Sequence, residues 1–315
     1  MPSVKVVVAI CTRDRPNMLR DCLSSLFKQE LTADIEPVAL VIENNQSSSC
    51  KTLVEDAREI APRDWRVQYA LEPQLGIPMA RNRALKLALD FDPDWIAFID
   101  DDETADPKWL CAMLGCASQF DADVVHGPVH FVYATAAPSW LPQRGPKSRR
   151  SGTRLLTAHT NNVCLRAAIA RSGLRFDEAM RFSGGEDSDF FHRAAEDGWV
   201  LCWADNAVVS EAVSPTRLTM RWQLDRAKRV ASNATVSHLK RRGLGSAVLT
   251  HGSKGVRRTV RGVLIAGAGT ILIPLFPRRG KPLAFKGLQD IWSGIGSLSA
   301  FVLKPPQPYT RVDGS

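Results

Sequence analysis

Three consecutive carboxylates, Asp100, Asp101 and Asp102, directly follow the apolar run 95–99. Like charges at the edge of an apolar core repel one another, and a divalent cation among them would relieve that cost. Carboxylate oxygens suit Mg²⁺ or Mn²⁺, which commonly bind one or two carboxylates together with substrate phosphates. The alternative is a solvated acidic turn before a helix, stabilised by the helix dipole.

A second acidic pair, Glu186 and Asp187, follows two glycines and precedes two phenylalanines. We predict that this pair opens a helix whose first turn faces a cleft. A carboxylate there can accept a proton from an attacking hydroxyl when burial or a nearby charge raises its pKa. The alternative is a pair of first-turn acids that only stabilise the start of the helix.

The elements around these acids alternate between strands and helices. Continuous apolar, β-branched runs predict buried strands, and apolar residues at helical spacing separate them. The expected strands lie near 4–10, 38–42, 67–70 and 95–99, and the helices near 16–28, 49–60 and 79–89. This order predicts an α/β fold with a doubly wound sheet. Ligands of such sheets bind beyond the carboxyl ends of the strands, where the aspartates would lie.

The chain divides by charge near residue 217. Residues 217–315 hold 18 Lys and Arg against 3 Asp and Glu, whereas residues 1–216 hold 23 against 30. A basic tail on an acidic body indicates that the tail meets an anionic surface. Aromatic residues for base stacking are scarce in this tail, so we do not expect nucleic acid as the partner. We place the domain boundary between residues 225 and 226.

Within the basic tail, residues 263–276 form an apolar run that is too short to span a bilayer as a helix. Flanking arginines suit a segment that lies in the membrane interface. Two alternatives remain open: a core helix that pairs with residues 285–302, or a re-entrant hairpin. The scattered, odd-numbered cysteines predict reduced thiols, and the N-terminus leads directly into a strand pattern without a signal sequence.

Five motifs in order resemble the family 2 glycosyltransferases of GT-A fold. The resemblance covers roughly residues 4–230. From the last of the five motifs onward, the sequence is similar to the glucosyltransferases of bacterial exopolysaccharide synthesis, the succinoglycan-type branch of the family. The motifs are residues 7–16, Glu43-Asn44-Asn45, Ala80-Arg81-Asn82, Asp100-Asp101-Asp102 and Gly184-Gly185-Glu186-Asp187. The fold class expected from the resemblance is a Rossmann-like mixed sheet, followed by a basic, helical, membrane-associating region.

The resemblance assigns a role to each acid. It implies that Asp102 binds Mn²⁺ or Mg²⁺, with Asp100 contacting the metal, a metal-bound water or ribose. Asp101 is implied at the nucleotide, although a structural role is an open alternative. Asp187 is implied as the base that activates the acceptor, with Glu186 beside it.

The resemblance also implies contacts with the donor, a UDP-sugar. Thr12, Glu43 and Arg81 match positions that grip uridine, and Arg13 and Arg226 are candidates for the phosphates. The pair Asn161-Asn162 lies where the family often meets sugar or acceptor, whereas the histidines are expected as packing or acceptor-site residues.

The expected function is the inverting, metal-dependent transfer of a sugar to a lipid-linked oligosaccharide, and glucose is the leading candidate for that sugar. The expected location is the cytoplasmic face of a bacterial inner membrane, with peripheral attachment. Three alternatives stay open: a soluble or protein acceptor, a metal-dependent nucleotidyltransferase, and a basic membrane-binding scaffold without catalysis.

Overall fold

A computed structural model describes residues 3–133, 136–142 and 149–302 of the 315-residue chain. Ten strands are present in this part. They are β1 Val4–Thr12, β2 Ile35–Glu43, β3 Arg66–Leu71, β4 Trp95–Asp100, β5 Glu103–Ala105, β6 Val124–His126, β7 Val129–Tyr133, β8 Asn162–Arg166, β9 Leu201–Trp203 and β10 Val209–Val213.

Nine α-helices accompany these strands in the described part of the chain. They are α1 Pro16–Leu26, α2 Lys51–Ile60, α3 Ile77–Ala88, α4 Trp109–Gln119, α5 Ala167–Arg171, α6 Glu186–Glu196, α7 Met220–Ala247, α8 Ser253–Leu272 and α9 Pro277–Ser299. The strands and helices predicted up to residue 99 are all present, with ends shifted by a few residues.

Seven strands form the main sheet in the order β3-β2-β1-β4-β8-β6-β9. The four predicted strands β1 to β4 are mutually parallel, and β8 runs antiparallel to both β4 and β6. The sheet is therefore mixed, as expected for a GT-A fold. Apolar clusters cover both of its faces, with Val8 and Trp109 on one side and Phe98 and Phe190 on the other.

Strand β8 was not predicted, although it lies at the centre of the sheet. Only its middle residues Val163, Cys164 and Leu165 are apolar, and its first residue is an asparagine. Such a short pattern is too weak to identify a strand. Strand β5, Glu103–Ala105, was also missed, and it forms a small second sheet with β10 and β7.

The C-terminal helices pack against one another through glycines. Gly255, Gly262 and Gly269 recur every seven residues on α8, and Gly280, Gly287 and Gly294 do so on α9. A Cβ atom at Gly262 would lie 2.7 Å from the Gly287 carbonyl oxygen, so the two backbones are nearly in contact. The helices therefore form a tight antiparallel hairpin.

This hairpin bears on the alternatives for residues 263–276. The apolar run, which lies on α8 and just beyond its end, pairs with the helix over residues 285–302, as the first alternative expected. However, α8 is not a core helix, because its side chains Leu264 and Ile271 are 69% and 77% exposed. Over residues 3–133, 136–142 and 149–302, no helix has the length and apolar character needed to cross a membrane. Helix α7 runs through the predicted domain boundary at residue 225, and that boundary stays a prediction.

Candidate active site

The acidic cluster lies at the carboxyl end of β4, beside the end of β1. The register of these strands pairs Cys11 with Asp100, so Thr12 reaches the acids that follow. The Thr12 hydroxyl donates a 2.7 Å hydrogen bond to Asp101, and the Arg15 guanidinium lies 3.1 Å from the other carboxylate oxygen. Asp101 is 4% exposed and both of its oxygens have partners. These contacts favour the structural alternative for Asp101.

Asp102 faces two arginines. Its Oδ2 lies 3.3 Å from Arg217 and 3.6 Å from Arg15. Arg217 also forms a close ion pair with Glu211 of β10. Guanidinium groups thus lie beside the carboxylates of the cleft, and their positive charges reduce the repulsion between the aspartates.

Asp100 is the most accessible of the three aspartates, with a side chain that is 42% exposed. Partial desolvation of its carboxyl in the cleft, together with the charges of Asp102 and Asp101, raises its pKa, although Arg81 lies 3.8 Å away and opposes the shift. Its backbone N–H donates a 3.1 Å hydrogen bond to Glu103.

Arg81 connects the two acidic motifs. This residue of α3 is buried, and its guanidinium contacts Asp100 and forms a close ion pair with Glu186 at the start of α6. Burial raises the pKa of Glu186, and Arg81 opposes that shift. One Glu186 oxygen, Oε2, is buried without a hydrogen-bond partner. Because Arg81 lies between them, the two motifs belong to one cleft.

Asp187 points to a different partner. Its Oδ2 lies 3.0 Å from Nδ1 of His159, and its Oδ1 accepts a 2.6 Å hydrogen bond from the Ser188 backbone. Burial raises its pKa, but His159, the charge of Arg81 and the Ser188 hydrogen bond together outweigh burial and lower that pKa to about 2. The side chain is 20% exposed. Asp187 is therefore an ionised, accessible proton acceptor, whereas a raised pKa was expected for it.

Glu43 differs from its expected role. The side chain is fully buried, and its oxygens accept hydrogen bonds from Ser49, from the Cys50 backbone and, at 2.6 Å, from the Tyr69 hydroxyl. Burial raises the pKa of Glu43, but these hydrogen bonds outweigh burial and lower that pKa below its usual value. Glu43 stabilises the start of α2, and its contacts give no support to the predicted uracil contact.

Of the pair Asn161-Asn162, the second residue does not fit the predicted ligand contact, whereas the contact of Asn161 stays a prediction. Asn162 is fully buried, accepts a 2.7 Å hydrogen bond from Trp109, and donates to the carbonyls of Pro128 and Ala207. It joins the sheet to the loops around it and is not accessible to a ligand. Asn161 donates a 3.3 Å hydrogen bond to Glu103.

The two phosphate candidates lie on different elements. Arg13 follows β1, and its Nε is buried without a hydrogen-bond partner. Arg226 of α7 lies with its guanidinium 5.8 Å from the ring centre of Trp222, and its charge lowers the pKa of Glu211, which burial raises overall.

The cleft fits a metal bound jointly with a substrate. Asp100 and Asp102 offer the hard oxygen ligands that Mg²⁺ and Mn²⁺ prefer. Across the described residues, no three His, Cys, Asp or Glu side chains are grouped as a metal site. The two aspartates suit an ion that takes one or two protein carboxylates and completes its coordination with substrate phosphates.

Sequence reasoning missed or undervalued three residues of the cleft. Glu103 is 1% exposed beneath Asp100, and burial raises its pKa well above the usual range. Glu103 directly follows the three aspartates in the sequence, and this position could have identified it as a fourth acid of the cleft. Arg217 and His159 had no such signal, because each reaches its carboxylate across more than 25 residues of sequence.

Comparison with known proteins agrees with this geometry. Residues 7–175 match the family described as "Glycosyl transferase family 2". The chain is 31% identical over 224 residues to the succinoglycan biosynthesis protein ExoM of Rhizobium meliloti (strain 1021), a match that covers 70% of this chain and 71% of ExoM.

Two solved structures share the fold at low identity. The mannosyltransferase PcManGT from Pyrobaculum calidifontis, in complex with GDP-Man and Mn²⁺, has a TM-score of 0.63 at 15% identity, covering 94% of this chain and 87% of PcManGT. S. aureus TarS 1-349 in complex with UDP-GlcNAc has a TM-score of 0.52 at 16% identity, and the match covers 90% of each chain. A longer TarS chain is covered over only 54% of its length. From its family match, its identity to ExoM and the arrangement of its cleft, this chain belongs to glycosyl transferase family 2 and is a glycosyltransferase.

Proposed function

We propose that this glycosyltransferase moves a sugar from a UDP-sugar, with glucose as the leading candidate, onto a lipid-linked oligosaccharide. The observation that carries the proposal is the bridge made by Arg81, which joins Asp100 to Glu186 and so unites the donor and acceptor ends of one cleft. The succinoglycan role in the name of ExoM supports a polysaccharide acceptor.

The donor would bind at the carboxyl ends of β1 and β4. Arg13 has a buried N–H without a partner, and this group is free to meet a phosphate oxygen. Thr12 and Asp101 already bond to each other at 2.7 Å, so they form a rigid wall beside the nucleotide. The UDP-GlcNAc bound by TarS supports a uridine donor, although the GDP-Man of PcManGT shows that relatives of this fold also use guanosine.

A divalent cation would be held by Asp102, with Asp100 close to it. When bound, such an ion neutralises the negative charge that develops on the leaving diphosphate. Arg217 would leave or share its contact with Asp102, and it would keep its other partner, Glu211. The Mn²⁺ of PcManGT supports this assignment.

Asp187 would act as the base. In a direct displacement, the acceptor hydroxyl oxygen attacks the anomeric carbon, its proton passes to an Asp187 oxygen, and the bond to UDP breaks with inversion. The position of Asp187 supports this role, because its side chain is 20% exposed and His159 holds one of its oxygens, whereas its lowered pKa makes it a weaker base than a carboxylate with a raised pKa. Glu186 cannot take this role while it is paired with Arg81 and buried. We therefore assign Glu186 to the orientation of Arg81.

The C-terminal hairpin would attach the enzyme to the cytoplasmic face of an anionic membrane. An exposed apolar stripe runs along α8 and its end, formed by Val256, Val260, Val263, Leu264, Ile271, Leu275 and Phe276. Basic residues flank this stripe, and each one near an anionic leaflet adds about 1 kcal/mol. An apolar stripe with basic flanks is typical of helices that lie in the membrane interface.

The catalytic proposal is tested by UDP release from a panel of UDP-sugars with Mn²⁺, Mg²⁺ or a chelator. We expect turnover of one UDP-sugar that needs the metal and that Asp102→Ala abolishes, whereas Asp64→Ala, at an exposed acid outside the cleft, leaves it unchanged. Metal-dependent UDP binding that survives in Asp102→Ala would remove the metal assignment. Release of pyrophosphate in place of UDP would indicate a nucleotidyltransferase.

The membrane proposal is tested by co-sedimentation with vesicles. Binding should require anionic lipid and weaken with salt, because part of it is screened Coulomb attraction. Ile271→Glu should release the protein, and Ile60→Glu should not, since these residues are 77% and 78% exposed on the hairpin and on the catalytic domain, respectively. Equal binding to neutral and anionic vesicles would contradict the electrostatic part. Transfer to a water-soluble glycan as fast as to a lipid-linked one would favour a soluble acceptor.

A further inference from the structure

Helix α7 of the C-terminal region contacts the loop that carries the acidic pair. Asn233 lies on the part of α7 that faces the catalytic domain, and its side-chain amide is buried. The amide nitrogen donates hydrogen bonds of 2.6 Å to the carbonyl of Ser183 and 2.8 Å to the carbonyl of Gly184. The contact therefore joins a C-terminal helix directly to the backbone before Glu186.

This loop has an unusual backbone that needs an external support. Gly184 and Gly185 both have left-handed conformations, with φ of 75° and 89°, and Gly185 is the residue that caps α6. A Cβ atom at Gly185 would lie 3.3 Å from the Asn233 Cβ atom, so the helix packs closely against the turn. Asp187 belongs to the first turn of α6, and its position depends on how this turn is held.

A second contact lies one helical turn further along α7. The Ser237 hydroxyl donates a 3.1 Å hydrogen bond to Asp189, which is paired with Arg193 on α6. Residues 233 and 237 are thus on the same face of α7, and both hold the first turn of α6. Two contacts in register indicate a fixed docking of one helix on the other.

The hairpin in turn holds α7. A Cβ atom at Gly296 of α9 would lie 2.1 Å from the carbonyl oxygen of Lys228, so α9 and α7 are in backbone contact just before Asn233. Thr235 faces away from the loop, since its hydroxyl donates to Ala231 and lies 3.3 Å from His251. A continuous path of packed elements leads from the hairpin to the acidic loop.

We propose that Asn233 is a positioning residue for Asp187, so that the C-terminal helices complete the catalytic site as well as carrying the membrane surface. The proposal rests on the proposed role of Asp187 as the base. Its physical basis is that the Asn233 amide nitrogen donates to the two loop carbonyls, while the amide oxygen of the same side chain is buried without a hydrogen-bond partner. Losing those donors would leave the Ser183 carbonyl without its Asn233 partner and the Gly184 carbonyl with only the 3.4 Å bond from the Ser183 hydroxyl, and it would free the turn to move.

The test uses Asn233→Asp in the full-length protein, because aspartate has the same size but cannot donate to the carbonyls. We expect the kcat for transfer to fall by about 10- to 100-fold, since a shift of about 1 Å at a reacting group can cost about 10²-fold. The KM for the donor and the metal-dependent binding of UDP should not change. Thr235→Val is the matched control, a buried hydroxyl on the same helix that does not contact the loop, and its kcat should stay within about twofold.

A double-mutant cycle separates positioning from a general loss of structure. If Asn233 acts through Asp187, Asn233→Asp should have little further effect on a protein that already carries Asp187→Asn. Independent, multiplicative losses would overturn the proposal, as would an unchanged kcat in Asn233→Asp. If Asn233→Asp does not fold, Asn233→Ser is used for the same cycle.

Hydrogen–deuterium exchange gives a readout that does not depend on the reaction. The amides of residues 183–188 should exchange faster in Asn233→Asp than in the wild type or in Thr235→Val. Unchanged exchange would overturn the proposed positioning even if activity fell. If the wild type turned over no UDP-sugar, the proposed function would fail, and the exchange result would still decide whether Asn233 holds the loop.

Discussion

The catalytic cleft and the C-terminal hairpin are stabilised by different means. In the cleft, charged side chains are held by other charged side chains, as Arg15 holds Asp101 and Arg81 holds Glu186. In the hairpin, glycines at a seven-residue spacing let the α8 and α9 backbones touch, as at Gly262. Ion pairs and hydrogen bonds stabilise the cleft, whereas close packing of two helix backbones at glycines stabilises the hairpin.

This difference predicts opposite sensitivities. The cleft should tolerate small changes in volume but not the loss of a charge, because a buried charge without its partner is costly. The hairpin should tolerate changes of charge on its outer face but not an added methyl group on its inner face, because close-packed backbones cannot yield. Each prediction below tests one side of this comparison.

The largest effect is expected for Asp187→Asn, which removes a charge and leaves the volume unchanged. The amide cannot accept the acceptor's proton, so sugar transfer should fall by about 10²–10⁴-fold, the usual contribution of a general base. Metal-dependent UDP binding, measured by calorimetry, should remain. The control is Asp197→Asn, the same change at the exposed end of α6. Near-normal transfer by Asp187→Asn, combined with an inactive Glu186→Gln, would move the role to Glu186.

The converse change adds volume without charge. Gly262→Ala would bring a Cβ atom to within 2.7 Å of the Gly287 oxygen, and overpacking of this kind costs about 1–3 kcal/mol. Gly267→Ala, on the same helix but with open space around it, should stabilise by about 1 kcal/mol through helix propensity. Urea unfolding of the two variants measures the difference. Equal effects would show that the glycine contacts do not hold the hairpin.

A pH dependence is expected from His126, which is buried beside the cleft. Burial lowers the pKa of His126 to about 4 from the usual 6.5. At His126 the unfolded chain therefore takes up a proton between pH 6.5 and 4 while the folded protein does not, and this group lowers the free energy of unfolding by up to about 1.4 kcal/mol per pH unit in that window. The raised pKa values of Asp100 and Glu103 act in the opposite direction, so the test compares the wild type with His126→Gln. The difference in stability between the two should change with pH from 6.5 to 4, and a difference that stays constant would contradict the neutral, buried histidine.

The smallest effect is expected for His159→Phe, which keeps a ring in place. Loss of the hydrogen bond to Asp187 should raise the pKa of that carboxyl from about 2. The acid limb of the kcat/KM profile should therefore move to higher pH, and the rate near neutral pH should fall by less than about tenfold. His130→Phe, at an exposed histidine of β7, is the control. An acid limb that does not move would show that His159 does not set the charge of Asp187.

Much of the fold could be predicted from the sequence, because parallel β-strands and amphipathic helices leave strong local patterns. The runs ending at Ile10, Ile42 and Ile99 each became a buried strand of the main sheet. Strand β8 could not be predicted, since its position depends on antiparallel pairing with β4 and β6 and not on a local pattern. The glycine repeat of α8 and α9 was visible in the sequence, but its meaning depends on the two helices facing each other.

The site was predictable in its acids and not in their partners. The motifs identified Asp100, Asp102 and Asp187, and the structure brings them into one cleft through Arg81. Asn162 proved to be fully buried and saturated with hydrogen bonds, so it is not accessible to a ligand. Glu43 is also fully buried and bonded to Tyr69, and its uracil contact stays a prediction. A motif records the type of a residue, whereas its role depends on which way the side chain is turned.

By itself, the sequence determined the glycosyltransferase family, the parallel half of the sheet and the acids that can do chemistry, because these depend on local pattern and on residue type. Tertiary structure alone decided that His159 pairs with Asp187, that Arg81 joins the two acidic motifs, and that α7 reaches the loop before Glu186 through Asn233. The reason is that charge and position depend on neighbours in space, and these neighbours lie 28 to 105 residues apart along the chain.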